Sequence, residues 1–146
     1  MKFGLALNIS YDINGDAFQS LHTELLTLLS YKDYGQDIKE LYIGIICVHP
    51  DFDPFFKPRK PKYTSEKKRY EEDRVVYELE KTLEYDIRFD HALILKSTTE
   101  EIRHITAQAI LNSLTVFNKY KAKIKDFDRA AFKADLESFF KSKELL

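Results

Sequence analysis

The residues of this chain that can do chemistry are few and scattered. His49-Pro50-Asp51-Phe52-Asp53 sets His, Asp and Asp at alternate positions, donor types that suit a metal. The flanking prolines make the stretch an irregular loop, and no further His or Cys cluster stands by to complete a coordination shell. Asp90-His91 has the residue types that orient a general base, but the sequence supplies it no nucleophile in a familiar arrangement. Cys47 is the only cysteine, so an internal disulfide is excluded. It lies in the most apolar stretch, where a thiol acts as a small hydrophobe rather than a nucleophile. Glu78, Glu80, Glu84 and Asp86 resemble acid–base carboxylates, yet they alternate with apolar residues and sit among Lys81 and Arg88, the pattern of a solvated strand face. No catalytic residue, metal or cofactor is expected, and the chain reads as a non-enzyme.

The strongest charge feature lies elsewhere. Residues 57–69 hold seven basic side chains and one acid, a local net of +6 in a chain whose total is −1. The remainder is therefore an acidic body of net −7. Lysines and arginines interleaved with Tyr63 and Tyr70 have the makings of a nucleic-acid grip through phosphates and stacking. Glu71, Glu72 and Asp73 follow at once and would repel phosphate, so nucleic acid is the second reading rather than the first. The same region offers Phe52, Phe55 and Phe56 beside Arg59, Tyr63, Arg69 and Tyr70. Aromatic and arginine side chains are the usual anchors of protein interfaces. These seven residues are the expected partner contacts; the alternative is that Phe52, Phe55 and Phe56 cap one end of the core.

The elements that must position this loop are readable from periodicity. The 41–48 run, LYIGIICV, is apolar on both faces and too short for a typical buried helix, which marks an interior strand around which the rest is arranged. Before it, Phe3, Leu5, Leu7, Ile9 and Tyr11 alternate with small residues, giving a first strand whose second face admits a closely approaching cover. Phe18, Leu21, Leu25 and Leu28 recur at helical spacing, with Asp12 or Asn14 as the expected cap. Gly35 ends the turn that follows. Over 75–89 the odd positions are mainly apolar and the even ones mainly charged, predicting an antiparallel hairpin broken near residues 80–82. Residues 92–95 are a short apolar run that packs or briefly extends the sheet. Ser97/Glu100 and Thr98/Glu101 are overlapping capping boxes for a helix reaching Phe117, and 119–125 reads as a basic linker. Asp128 caps a last helix, with Phe127 and Phe132 at staple spacing. The expected fold is α+β: a mainly antiparallel sheet of about four strands with three helices, in the order β-α-β-β-β-α-α, helices on one face. At 146 residues and 44% apolar, residues 1–146 are expected to form a single domain. No apolar run approaches the length of a membrane span and none reads as a signal peptide, so a cytoplasmic setting without membrane contact is expected.

Several stretches recur together in a known family: Asp16-Ala17-Phe18, Lys32-Asp33-Tyr34-Gly35, Asp90-His91-Ala92, Ala109-Ile110-Leu111-Asn112-Ser113-Leu114, and Ile124-Lys125-Asp126-Phe127-Asp128 with its helix through Phe140. In this order and spacing the chain resembles the bacterial immunity protein 44 family, over nearly its whole length. The resemblance implies a non-enzymatic protein that neutralises a cognate polymorphic toxin by binding it. It brings no catalytic residue.

Overall fold

The alternation at the start of the chain yields strand β1 (Lys2–Ile9), and the helical stripe after it yields α1 (Asp16–Leu29). The apolar run becomes β2 (Glu40–Cys47), followed by β3 (Tyr70–Tyr77) and β4 (Thr82–Phe89). Helices α2 (His91–Leu95), α3 (Thr99–Asn112) and α4 (Arg129–Ser142) complete the chain, with a 3₁₀ segment over Ser113–Tyr120 between the last two. The computed structural model describes residues 1–49, 51, 70–78 and 80–146, with backbone alone over 70–74.

The four strands form one sheet in the order β1-β2-β4-β3. β2 occupies the interior position expected of it. The sheet is mixed rather than mainly antiparallel: β1 and β2 run parallel, β2 and β4 run parallel, and only β3 and β4 are antiparallel. The reason lies in the connections. The segment containing α1 returns the chain to the starting end of the sheet before β2, as a parallel pair requires. The hairpin predicted within 75–89 forms, but β3 takes its place at the sheet edge and leaves β4 beside β2. Its reversal passes through Lys81 in the left-handed region, φ 65°. The residues at 70–74 are polar and show no alternation, which hid the first half of β3.

Among the described residues there are four α-helices rather than three. α2 is too short for a helical period to show, and Asp90 nucleates it by accepting from the amides of Ala92 and Leu93. Of the two capping boxes, Thr98/Glu101 forms. The helix it opens changes to 3₁₀ geometry at Ser113, whose buried hydroxyl lies 2.7 Å from the Tyr85 hydroxyl and donates to Ile110 O. That 3₁₀ turn takes in part of the stretch read as a basic linker.

The odd-numbered face of β1, β2 and β4 carries the core: Phe3, Leu5, Leu41, Ile43, Ile45, Leu83, Tyr85, Ile87 and Phe89 are all buried. Phe18, Leu21 and Leu25 of α1, Ile102 and Ile110 of α3, and Phe132, Leu136 and Phe140 of α4 join the same cluster. Each such side chain contributes about 1.5–3 kcal/mol by leaving water. On the other face the small residues of β1 and β2 admit neighbouring side chains. A Cβ on Gly4 would stand 3.0 Å from the Tyr42 ring, and one on Gly44 only 2.2 Å from Asp86 Oδ1. The even positions of β4 are not simply solvated: Glu84 and Asp86 are half-buried and Arg88 is 4% exposed. Among the described residues no helix is long and apolar enough to cross a membrane.

Candidate functional site

Of the expected partner contacts, Phe52, Phe55, Phe56, Arg59, Tyr63 and Arg69 lie outside the described residues, and Tyr70 is described by its backbone alone. The structure fixes where that segment is rooted. It leaves the sheet after β2, at His49 and Asp51. It returns at Tyr70, whose register partner is Phe89, next to Asp90 and His91. Both roots therefore stand at the carboxyl end of the parallel strands, where open α/β sheets commonly place their binding crevices.

His49 and Asp51 of the first candidate, whose Asp53 lies outside the described residues, meet the Asp90–His91 pair at this end. His91 is 6% exposed, and its Nε2 lies 3.0 Å from both carboxylate oxygens of Asp12. Asp12 was expected to cap α1. Instead Gly15 is the N-cap, with no side-chain cap bond, and Asn14 Oδ1 accepts from Asp16 N. Ser10 Oγ donates to Asp12 at 2.7 Å and accepts from His49 N at 3.3 Å. The His49 ring meets that of His91 edge-on, centroids 5.1 Å apart, and its Nδ1 lies 3.1 Å from Asp51 N. The Asp12 carboxyl is held below the usual range, first by the His91 hydrogen bond and then by that of Ser10. Cys47 is buried beneath the group, and burial, with the Asp12 and Asp90 carboxylates adding, pushes its thiol up to about 12. It is a protonated hydrophobe at neutral pH, as its surroundings in sequence suggested.

The geometry is that of a pin rather than a catalytic centre. Ser10 bonds the carboxylate, not the imidazole, so the order in which a base activates a nucleophile is not assembled. Asp90, the sequence neighbour of His91, is occupied in capping α2. Among the described residues no group of three His, Cys, Asp or Glu side chains is placed to hold a metal ion. The arrangement ties the β1–α1 turn to the β4–α2 turn across 79 positions. Sequence gave no sign of this link, because Asp12 and His91 each had a sufficient local explanation.

The opposite end of the strands is closed by two of the stretches that carry the family likeness, 32–35 and 124–128. Asp126 O accepts from Asp37 N, and Asp126 Oδ2 from Gln36 N. Asp37 Oδ2 in turn accepts from Lys125 N and Asp126 N at 2.8 and 2.7 Å. The Tyr34 hydroxyl donates to Asp135 at 2.5 Å, while its ring packs on Phe127 and Phe132. Burial first, then Asp135, raises the Tyr34 phenol above its ordinary range. An open pocket of about 670 Å³ adjoins this end, bordered by Tyr77, Glu78, Glu80, Lys81 and Lys123. It mixes both charge signs without a convergent reactive pair.

The described residues thus form an α+β scaffold whose turns are interlocked at the amino end of the parallel strands. The chain belongs to the immunity protein 44 family, whose model matches residues 1–142. No curated protein and no solved structure matches it.

Proposed function

We propose that this chain is a bacterial cytoplasmic immunity protein, folded as one domain over residues 1–146. It neutralises a cognate polymorphic toxin by binding it, without catalysis of its own. The observation that supports this reading is the family match across residues 1–142. The main contact is the segment between Asp51 and Tyr70, with Phe52, Phe55, Phe56, Arg59, Tyr63, Arg69 and Tyr70 as its anchors. Aromatic and arginine anchors suit such an interface, and a loop rooted on a fixed scaffold can change its specificity without disturbing the fold.

Co-expression with the toxin encoded beside it tests the function. Cells carrying both survive; equal killing with and without this chain would end the immunity reading. The contact is tested separately with Tyr63→Ala combined with Tyr70→Ala. Toxin affinity measured by calorimetric titration falls, by about tenfold or more if these are true anchors, while the melting temperature stays nearly unchanged. Unchanged affinity would move the interface to the acidic body. Salt-sensitive retention of oligonucleotides, lost on neutralising Lys67, Lys68 and Arg69, would instead favour nucleic acid.

A further inference from the structure

The two edges of the sheet differ in a way that points to a second interface. β3 forms one edge. Its pairing with β4 is broken by a register shift between Glu72 and Val75, and its sequence there is charged. Lys119 Nζ and the Tyr120 hydroxyl both donate to Val75 O, so the 3₁₀ segment covers part of it. Bulges, charges and covering segments are how natural sheets keep an edge from pairing. β1, the other edge, has none of these among the described residues: it pairs with β2 in unbroken register from Lys2 to Ile9, and its one charge is Lys2, at its start.

The direction of its free groups follows from the ladder. Lys2 N donates to Lys39 O and Ser10 N to Cys47 O, so the even-numbered residues of β1 turn their amides and carbonyls toward β2. Phe3, Leu5, Leu7 and Ile9 turn theirs outward, where among the described residues nothing meets them. The flank is apolar as well. Leu7 and Ile9 are only half-buried, and Leu26 of α1 is 38% exposed. By helical spacing Leu26 lies on the flank away from Ser20 and Glu24, which bind Arg103 of α3.

We propose that β1 pairs antiparallel with β1 of a second copy of this chain, joining two sheets into one. The strand is self-complementary about Ala6. Placing Ala6 against Ala6 sets Leu5 opposite Leu7 and Phe3 opposite Ile9 of the second copy, so that every outward amide and carbonyl of the strand is satisfied. On the open face Gly4 meets Asn8, small against small. Lys2 comes opposite Ser10, two residues from the Asp12 carboxylate of the second copy. The two-fold axis makes each of these contacts twice, as a closed dimer requires.

Sedimentation equilibrium over rising concentration, with engineered cysteines, tests the pairing. The average mass rises from 17.2 kDa toward twice that value. Ala6→Lys places two like charges face to face at the axis and weakens association by about fivefold or more. Ala6 is exposed in the single chain and its register partner is Gly44, which carries no side chain to crowd it, so the lysine leaves the monomer's melting curve in place. Under mild oxidation Ala6→Cys cross-links to a covalent dimer, because directly opposed residues of a non-hydrogen-bonded pair fall within disulfide reach. Asn8→Cys, offset from its own copy, does not. A monomer mass at every concentration, or equal cross-linking at both positions, would overturn the proposal. So would a monomer whose Ala6→Lys variant loses only toxin affinity, since the edge would then serve a strand of the toxin.

Discussion

The two ends of the parallel strands are held by different means. At the amino end, the 33–37 turn and the 124–128 turn exchange backbone-directed bonds through Asp37 and Asp126, and a cluster of Tyr34, Phe117, Phe127 and Phe132 packs beneath them. At the carboxyl end, two turns are tied chiefly through one carboxylate and one imidazole, and a long connection departs from His49. The first end joins the side-chain carboxylates of Asp37 and Asp126 to main-chain amides of the facing turn, over a packed aromatic cluster. The second relies on contacts between side chains.

The comparison is broken most forcefully at Gly35. Its φ of +137° is unsuited to an L side chain, and an added Cβ would stand 2.2 Å from Asp126 O, a backbone atom that cannot step aside. Gly35→Ala should therefore lower stability by about 3 kcal/mol or more in urea melts. An unchanged midpoint would mean the two turns are not interlocked.

Phe127→Ala comes next. The ring is 8% exposed and lies 5.4 Å from Phe117 and 5.6 Å from Phe132, centroid to centroid. Its removal takes away the staple and opens a cavity among aromatic neighbours, at a cost of about 3 kcal/mol. Urea melts that match the wild type within error would show that the ring is not packed there.

These two positions also show what a sequence can reveal of such a molecule. The Phe127–Phe132 staple, the Thr98–Glu101 box and the Gly35 turn were readable because each is local: spacing along the chain fixes the contact. The stripes of α1 and α3 and the interior character of β2 were readable for the same reason. Pairing partners were not, because a period of two says which face is buried and nothing about which strand lies alongside. Hence the parallel pairs were read as antiparallel. The candidate site suffered most. Asp12 looked like a helix cap and Asp90-His91 like an idle pair, and only the fold brings Asp12 to His91. The burial of Arg88 had no signal either, since its neighbours at even positions are charged.

The smallest effect is read in acid, and it sharpens the contrast between the ends. Both Asp12 and Asp37 are held below the ordinary carboxylate value of 3.8, Asp12 chiefly by a side chain, His91, and Asp37 chiefly by the amides of Asp126 and Lys125. A carboxyl whose pKa is depressed by folding contributes stability that is present above its unfolded value and lost as pH falls through its folded one. Wild-type melting temperature should therefore decline between about pH 5 and pH 2 by an amount to which both groups contribute. Asp12→Asn keeps the shape but has no proton to take up, so its decline is shallower, and its deficit at neutral pH narrows as the solution becomes acid. Asp37→Asn makes the same change at the interlocked end. The two are told apart by the His91 ring resonances, which shift in the Asp12 variant and stay in place in the Asp37 variant. Melts of Asp12→Asn that run parallel to wild type through this range would mean that the Asp12–His91 pair does not hold the carboxyl end together.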